Sequence, residues 1–202
     1  TSNIDVHVVA VGTGAAIRLA KKGDADVLLV HHKPSEEAFV KDGFGVKRFN
    51  LMYNDFVVVG PNPDPANIHA SKTIISALQN IANQQSLFAS RGDDSGTHKK
   101  ELGLWSAANT TPSTDWYRET GSGMGATLNV AAGMNAYALT DRATWIAFAG
   151  KDQHDILFAG DAALFNQYGI IAVNPKLATW SRDHLGVRPD RVEYLRNFVL
   201  PP

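Results

Sequence analysis

A chain of 202 residues, 44% hydrophobic and 19% charged, has the make-up of a globular protein and room for one large domain or two lobes of about 100 residues each. Its formal net charge of -1 lacks the basic excess of nucleic-acid-binding domains, so no nucleic acid partner is expected. No run approaches the roughly 18 apolar residues of a membrane-spanning helix, and the absence of cysteine excludes disulfides, thiolate metal sites and a cysteine nucleophile.

The chain opens on Thr1 without a visible leader, and the native start is expected to be absent. Ile4 to Val11 alternates β-branched and polar residues, meets Gly12-Thr13-Gly14 and continues into a stretch suited to a helix: strand, tight turn, helix. Ala25 to Val30 reads as a strand buried on both faces, followed by a helix with Ser35 as its N-cap. Met52 to Val59 forms another strand, and the Gly60-Pro61-Asn62-Pro63-Asp64-Pro65 turn marks a lobe crossing. Further on, Ile74 to Ala82 is helical, Leu87 to Ser90 a short strand, Gly96 to Leu104 a helix, Thr114 to Glu119 helical, and Ala126 to Asn135 a helix. Tyr137 to Asp141 is a strand, Arg142 to Phe148 a helix, and Tyr168 to Val173 a returning strand. This alternation predicts an α/β protein with mainly parallel sheets and helices on both faces.

In such sheets ligands bind beyond the carboxyl ends of the strands, where helix N-termini offer unpaired N–H groups and partial positive charge to an anion. Arg91-Gly92-Asp93-Asp94-Ser95-Gly96-Thr97 is the most informative segment. It places a planar guanidinium, two hydroxyls and glycine-flanked amides around one helix start. Two readings stay open for it: an oxyanion site, or an N-capped helix preceded by a solvated Arg–Asp pair. Gly12-Thr13-Gly14 is a second helix start, without the Lys-Ser/Thr of a Walker loop or the third glycine of a dinucleotide fingerprint. Gly121 to Gly125 presents amides around Met124 or serves only as a connection. Ser95, His98 and Asp94 have the residue types of a hydrolase triad but lie on one turn and lack a Gly-x-Ser-x-Gly elbow. His31 and His32, neighbours on a strand, would point to opposite faces and not share a metal. Trp105, Trp116, Trp145 and Trp180 are irregularly spaced and read as packing anchors.

Several segments together resemble the tungstate-binding periplasmic proteins of ABC transporters. These are Val9 to Gly14, Gly23 to Val30, Phe49 to Pro61, Arg91 to Thr97, Gly123 to Asn129 and Leu139 to Thr144, and the resemblance runs from about Ile4 to Pro175. It implies a two-lobed type II periplasmic-binding fold, lobe 1 being residues 1–58 plus 168–202, incomplete at both termini, and lobe 2 residues 59–167. It also implies a tungstate or molybdate oxyanion in an interlobe cleft. Thr13, Arg91, Ser95, Thr97 and the backbone at Met124 would be the contacts, with no cofactor, no metal cation and no catalysis. The chain lacks the Thr-Thr-Thr-Ser segment that the family carries after its first strand, and the region from Trp180 to Gly186 departs from the family. A periplasmic or extracytoplasmic monomer delivering its ligand to an ABC permease is what the resemblance leads one to expect.

Three alternatives are weighed against it. Phosphate-binding proteins carry a similar Arg…Ser-Gly-Thr turn, and hydrogen phosphate would need an acceptor, for which Asp93 or Asp94 is available. A hydrolase would use Ser95 as nucleophile and His98 as base. A cytosolic anion sensor would carry a DNA-binding domain ahead of this chain.

Overall fold

The computed structural model describes residues 6–176. Residues 6–50 and 169–176 belong to one compact unit, unit 1, and Leu51–Tyr168 to a second, unit 2. The chain passes between them at Asn50/Leu51 and at Tyr168/Gly169, where the sequence reading set 58/59 and 167/168.

Unit 1 contains α1 (Thr13–Lys22), β1 (Val27–Val30), α2 (Lys33–Lys41), the start of β2 (Gly45–Pro61) and, from the far end of the chain, the last residues of the seventh strand, β7 (Phe165–Val173). α1 ends because Gly23 takes φ 83°, returning its own amide to the Ala20 carbonyl and that of Asp24 to Leu19. β1 pairs antiparallel with β7, Val27 opposite Ala172 and Val30 opposite Gly169. Leu28 and Val30 join Ala20, Phe39, Ile171 and Val173 in the core, while Val27 and Leu29 are exposed, so β1 is buried on one face and not on both.

Two further expectations are corrected in unit 1. Residues 6–12 are irregular, with Val6 and Val8 largely exposed; alternation alone makes no strand, and no partner strand lies beside them among the described residues. α2 is capped by His32 and not by Ser35: the Ser35 N–H donates to His32 Nδ1 at 3.4 Å and the two side chains bond at 2.7 Å. His31 and His32 therefore lie past the end of β1. Beneath α2, Arg48 Nε bonds the buried Glu36 carboxylate at 2.5 Å; burial raises the Glu36 pKa, and the guanidinium works against that rise.

Unit 2 holds the rest of β2, α3 (Ile74–Asn83), β3 (Phe88–Ser90), α4 (Gly96–Ala107), β4 (Tyr117–Glu119), α5 (Met124–Met134), β5 (Ala138–Asp141), α6 (Arg142–Ala147), β6 (His154–Phe158) and the start of β7. β3 pairs parallel with β4 and, through Phe88 and Tyr137, with the approach to β5. β2 lies antiparallel to both β5 and β6. Four strands thus run one way and the strand entering from unit 1 runs the other. The pattern is therefore mainly parallel, as expected, and β2 is the strand that runs against it. Thr114 to Glu119 is also corrected, being a turn that opens into β4; three residues suffice for a strand because pairing with β3 satisfies their backbone.

Phe56 to Val59 in β2 are at most 1% exposed, as a strand covered on both faces requires. Phe56 and Val58 pack with Ile74 and Leu78 of α3, Trp105 of α4 and Tyr137. Val57 and Val59 pack with Leu128 of α5 and Trp145 of α6. The helices expected on both faces are these two pairs. Trp105, Trp116 and Trp145 are buried; Trp180 lies outside the described residues.

Candidate functional site

β3 and β4 are parallel neighbours ending at Ser90 and Glu119, and the helices that follow them begin at Gly96 and Met124. Both helix N-termini therefore belong to the carboxyl edge of one sheet, and two turns separate them from the strands. These turns are strapped together. The Thr120 N–H donates to the Ser90 carbonyl at 2.9 Å, the Ser122 N–H to the Arg91 carbonyl at 3.2 Å, and Thr120 Oγ1 lies 2.8 Å from Thr127 Oγ1 of α5.

The first turn presents two kinds of donor. Ser95 caps α4, its Oγ accepting the His98 N–H at 3.2 Å, which leaves the preceding first-turn amides of Gly96 and Thr97 without intrahelical partners. Thr97 is 2% exposed, on the inner side of the same turn. α5 is built differently: its N-cap is Gly123, with no side-chain cap bond, so the first-turn amides from Met124 onward face outward with nothing from the cap upon them. In unit 1, α1 starts the same way, on Gly12 without a side-chain cap and with Thr13 buried as its first residue.

Arg91 projects from the end of β3 and holds Asp93 by Nε at 3.1 Å and Nη2 at 2.5 Å. The Ser95 N–H donates to the other Asp93 oxygen at 3.2 Å. Burial opposes the Asp93 charge, but the Ser95 hydroxyl and the Arg91 guanidinium outweigh it and hold the carboxyl below the usual range. The segment thus already organises its donors around one carboxylate, and a soluble tetrahedral oxyanion presents oxygens of the same kind.

Four of the five residues singled out in the sequence, Arg91, Ser95, Thr97 and Met124, stand on this one edge of unit 2; Thr13 stands in unit 1. The hydrolase arrangement is not assembled. His98 Nδ1 accepts the Asp94 N–H at 3.2 Å, and Nε2, 3.6 Å from Glu119, has no hydrogen-bond partner, so neither ring nitrogen takes a proton from Ser95. The two aspartates weighed as acceptors for hydrogen phosphate are both in ion pairs, Asp93 with Arg91 and Asp94 with Lys99. Among the described residues no three His, Asp or Glu side chains gather as a metal site.

Sequence reasoning missed Thr120, which ties the two turns, because β4 was read as helix. It also missed Glu101 and Ser90, buried beneath the turns, because only the fold brings them there. Gly92 has φ 59°, and a Cβ there would come within 2.7 Å of Glu119 Cβ. Gly92→Ala is expected to cost about 1–2 kcal/mol through the left-handed backbone alone and to displace the Arg91 turn; urea unfolding set beside ligand titration would measure both effects.

The comparisons with known proteins agree with one another. The PBP superfamily domain matches residues 1–186. The tungstate-binding protein TupA of Peptoclostridium acidaminophilum is 49% identical over 176 residues, 86% of this chain and 62% of that protein. Among solved structures, the tungstate ABC transporter from Geobacter sulfurreducens matches with a TM-score of 0.78 and 48% identity, covering 96% of this chain and 80% of that one. The tungstate-binding protein TupA from Desulfovibrio alaskensis G20 gives 0.72 and 44%, over 94% and 76%. The chain spans between 52% and 64% of the length of the curated relatives it matches. It is a member of the PBP superfamily and, within it, of the family of these tungstate-binding transporter proteins.

Proposed function

We propose that this protein is the extracytoplasmic solute-binding component of an ABC importer, capturing tungstate or molybdate for delivery to a permease, as a monomer and without turnover. The donor set is Thr13, Arg91, Ser95, Thr97 and the amides beginning at Met124. The observation that carries the reading is the single sheet edge of unit 2, where Arg91, the hydroxyl-lined start of α4 and the glycine-capped start of α5 are strapped together. Such a site is rich in donors and suits a fully ionised tetrahedral anion. Hydrogen phosphate would in addition need Asp93 or Asp94 to accept its proton while paired with Arg91 or Lys99. Ligand capture would favour whichever conformation lets the anion meet most donors.

Calorimetric titration with tungstate, molybdate, sulfate and phosphate tests this directly. One tight site for tungstate, not displaced by phosphate and with no ester hydrolysis, is the expected result. Preference for phosphate would move the protein to the phosphate-binding reading. Hydrolysis that disappears in Ser95→Ala would make it an enzyme.

A further inference from the structure

α4 carries a carboxyl group that the anion site does not use. Glu101 stands one turn beyond Thr97 on the same helix face, with Trp105 one turn further, and all three are at most 2% exposed. Spacing of four residues stacks them along one side of the helix, so a line of buried side chains runs inward from the anion-facing turn. Glu101 Oε1 receives the Tyr117 hydroxyl at 2.6 Å and the Trp105 indole N–H at 3.2 Å, and the nearby Ser90 hydroxyl also favours its charged form. All three are neutral groups. The two aromatic donors, Trp105 and Tyr117, belong to one ring cluster with Phe88 and Trp116.

Ser90, beside the carboxyl, belongs to the site's own strand end. Ser90 Oγ accepts the Gly92 N–H at 3.3 Å, and Gly92 follows Arg91. The distance along the helix is short as well: six positions separate Glu101 from the Ser95 cap, about 9 Å of axial rise. An oxyanion at the start of α4 and a charge on Glu101 would therefore repel one another through low-dielectric protein. We propose that Glu101 couples oxyanion capture to proton uptake, releasing this repulsion by becoming neutral when the anion binds. The proposal rests on the anion-binding reading above.

The other groups around it do not replace it in this role. β4 contributes Tyr117, whose pKa is driven up by burial and by Glu101 itself, and Glu119, whose charge adds to the pressure on Glu101. On the same helix His98 faces Glu119. α3 and α5 carry no titratable side chain, and Asp141 at the end of β5 caps α6. Burial already pushes the Glu101 pKa up to about 7 against the pull of Tyr117, Ser90 and Trp105. A bound dianion raises it further, so protons are taken up on binding and affinity falls as pH rises through this range. The sign is that of reciprocal linkage: the anion favours the protonated carboxyl, and the protonated carboxyl favours the anion.

The test uses tungstate, which does not itself titrate near neutrality, in calorimetry near pH 7 in buffers of different ionisation enthalpy. Uptake of a fraction of a proton per tungstate is expected, with affinity falling about tenfold from roughly pH 6 to 9. Glu101→Gln keeps an acceptor for Tyr117 and should abolish this Glu101-linked uptake while flattening the profile. Tyr117→Phe removes the shortest bond to the ionised carboxyl and should shift the midpoint upward. Tungstate binding with no proton uptake, or uptake that persists in Glu101→Gln and disappears in His98→Gln, overturns the proposal but leaves the anion reading standing. Silence toward tungstate at every pH overturns both.

Discussion

Arg91→Ala is expected to weaken tungstate binding by about 30- to 4000-fold, the range for truncating one partner of a buried, hydrogen-bonded charge pair. Two losses combine in it. The anion loses the one guanidinium in the proposed donor set, and Asp93 loses the partner that holds it by two hydrogen bonds. The carboxylate then stands beside the site with only Ser95 to satisfy it. The two effects separate in a double-variant cycle. If the stranded charge dominates, Arg91→Ala with Asp93→Ala recovers much of the affinity; if the lost guanidinium dominates, it recovers little. Arg91→Lys should restore only part, since an ammonium cannot reproduce the planar fork. Calorimetry on each variant, with a melting curve to establish folding, decides this, and unchanged affinity in Arg91→Ala would remove the arginine from the site.

The second large effect is on stability. Trp105→Ala is expected to cost about 3–5 kcal/mol, as large-to-small changes of buried aromatic residues do. Trp105 is 1% exposed and meets Phe88 edge-on at 5.3 Å, Trp116 at 5.5 Å and Tyr117 at 6.5 Å between ring centroids. Its indole N–H also supplies one of the donors to Glu101, so the variant loses a hydrogen bond at a buried carboxyl in addition to the packing. Urea unfolding followed by far-UV circular dichroism would detect the change. A loss below about 1 kcal/mol would show that this cluster is looser than its geometry.

What could be read from the sequence followed the strength of local patterns. Met52 to Val59 was legible as a strand from its apolar run, and its Phe56-Val57-Val58-Val59 supplies both core clusters. Arg91, Ser95 and Thr97 were legible because capping chemistry and anion chemistry use the same groups. Asp93 was legible only as one of two alternatives, an Arg–Asp pair or an acceptor for hydrogen phosphate, and the fold places it on Arg91 and the Ser95 N–H. β4 was lost because Tyr117-Arg118-Glu119 is too short to display an alternation, and its extended form comes from pairing with β3. β6 went unmarked because His154 and Asp155 open it with polar residues. The apolar alternation before Gly12 misled in the opposite direction, since a pattern predicts a strand only where an edge exists to receive it.

The order of the chain also bears on how the protein is made. Unit 2 is one uninterrupted segment and has all of its strands and helices once Tyr168 has been synthesised. Unit 1 is written in two pieces: β1 appears early, yet its partners run from Gly169 to Ala172. During synthesis β1 must therefore wait for its strand partner while the whole of unit 2 is translated and free to fold. The half that is begun first is the half that is finished last, and in that interval the nascent chain depends most on protection from aggregation.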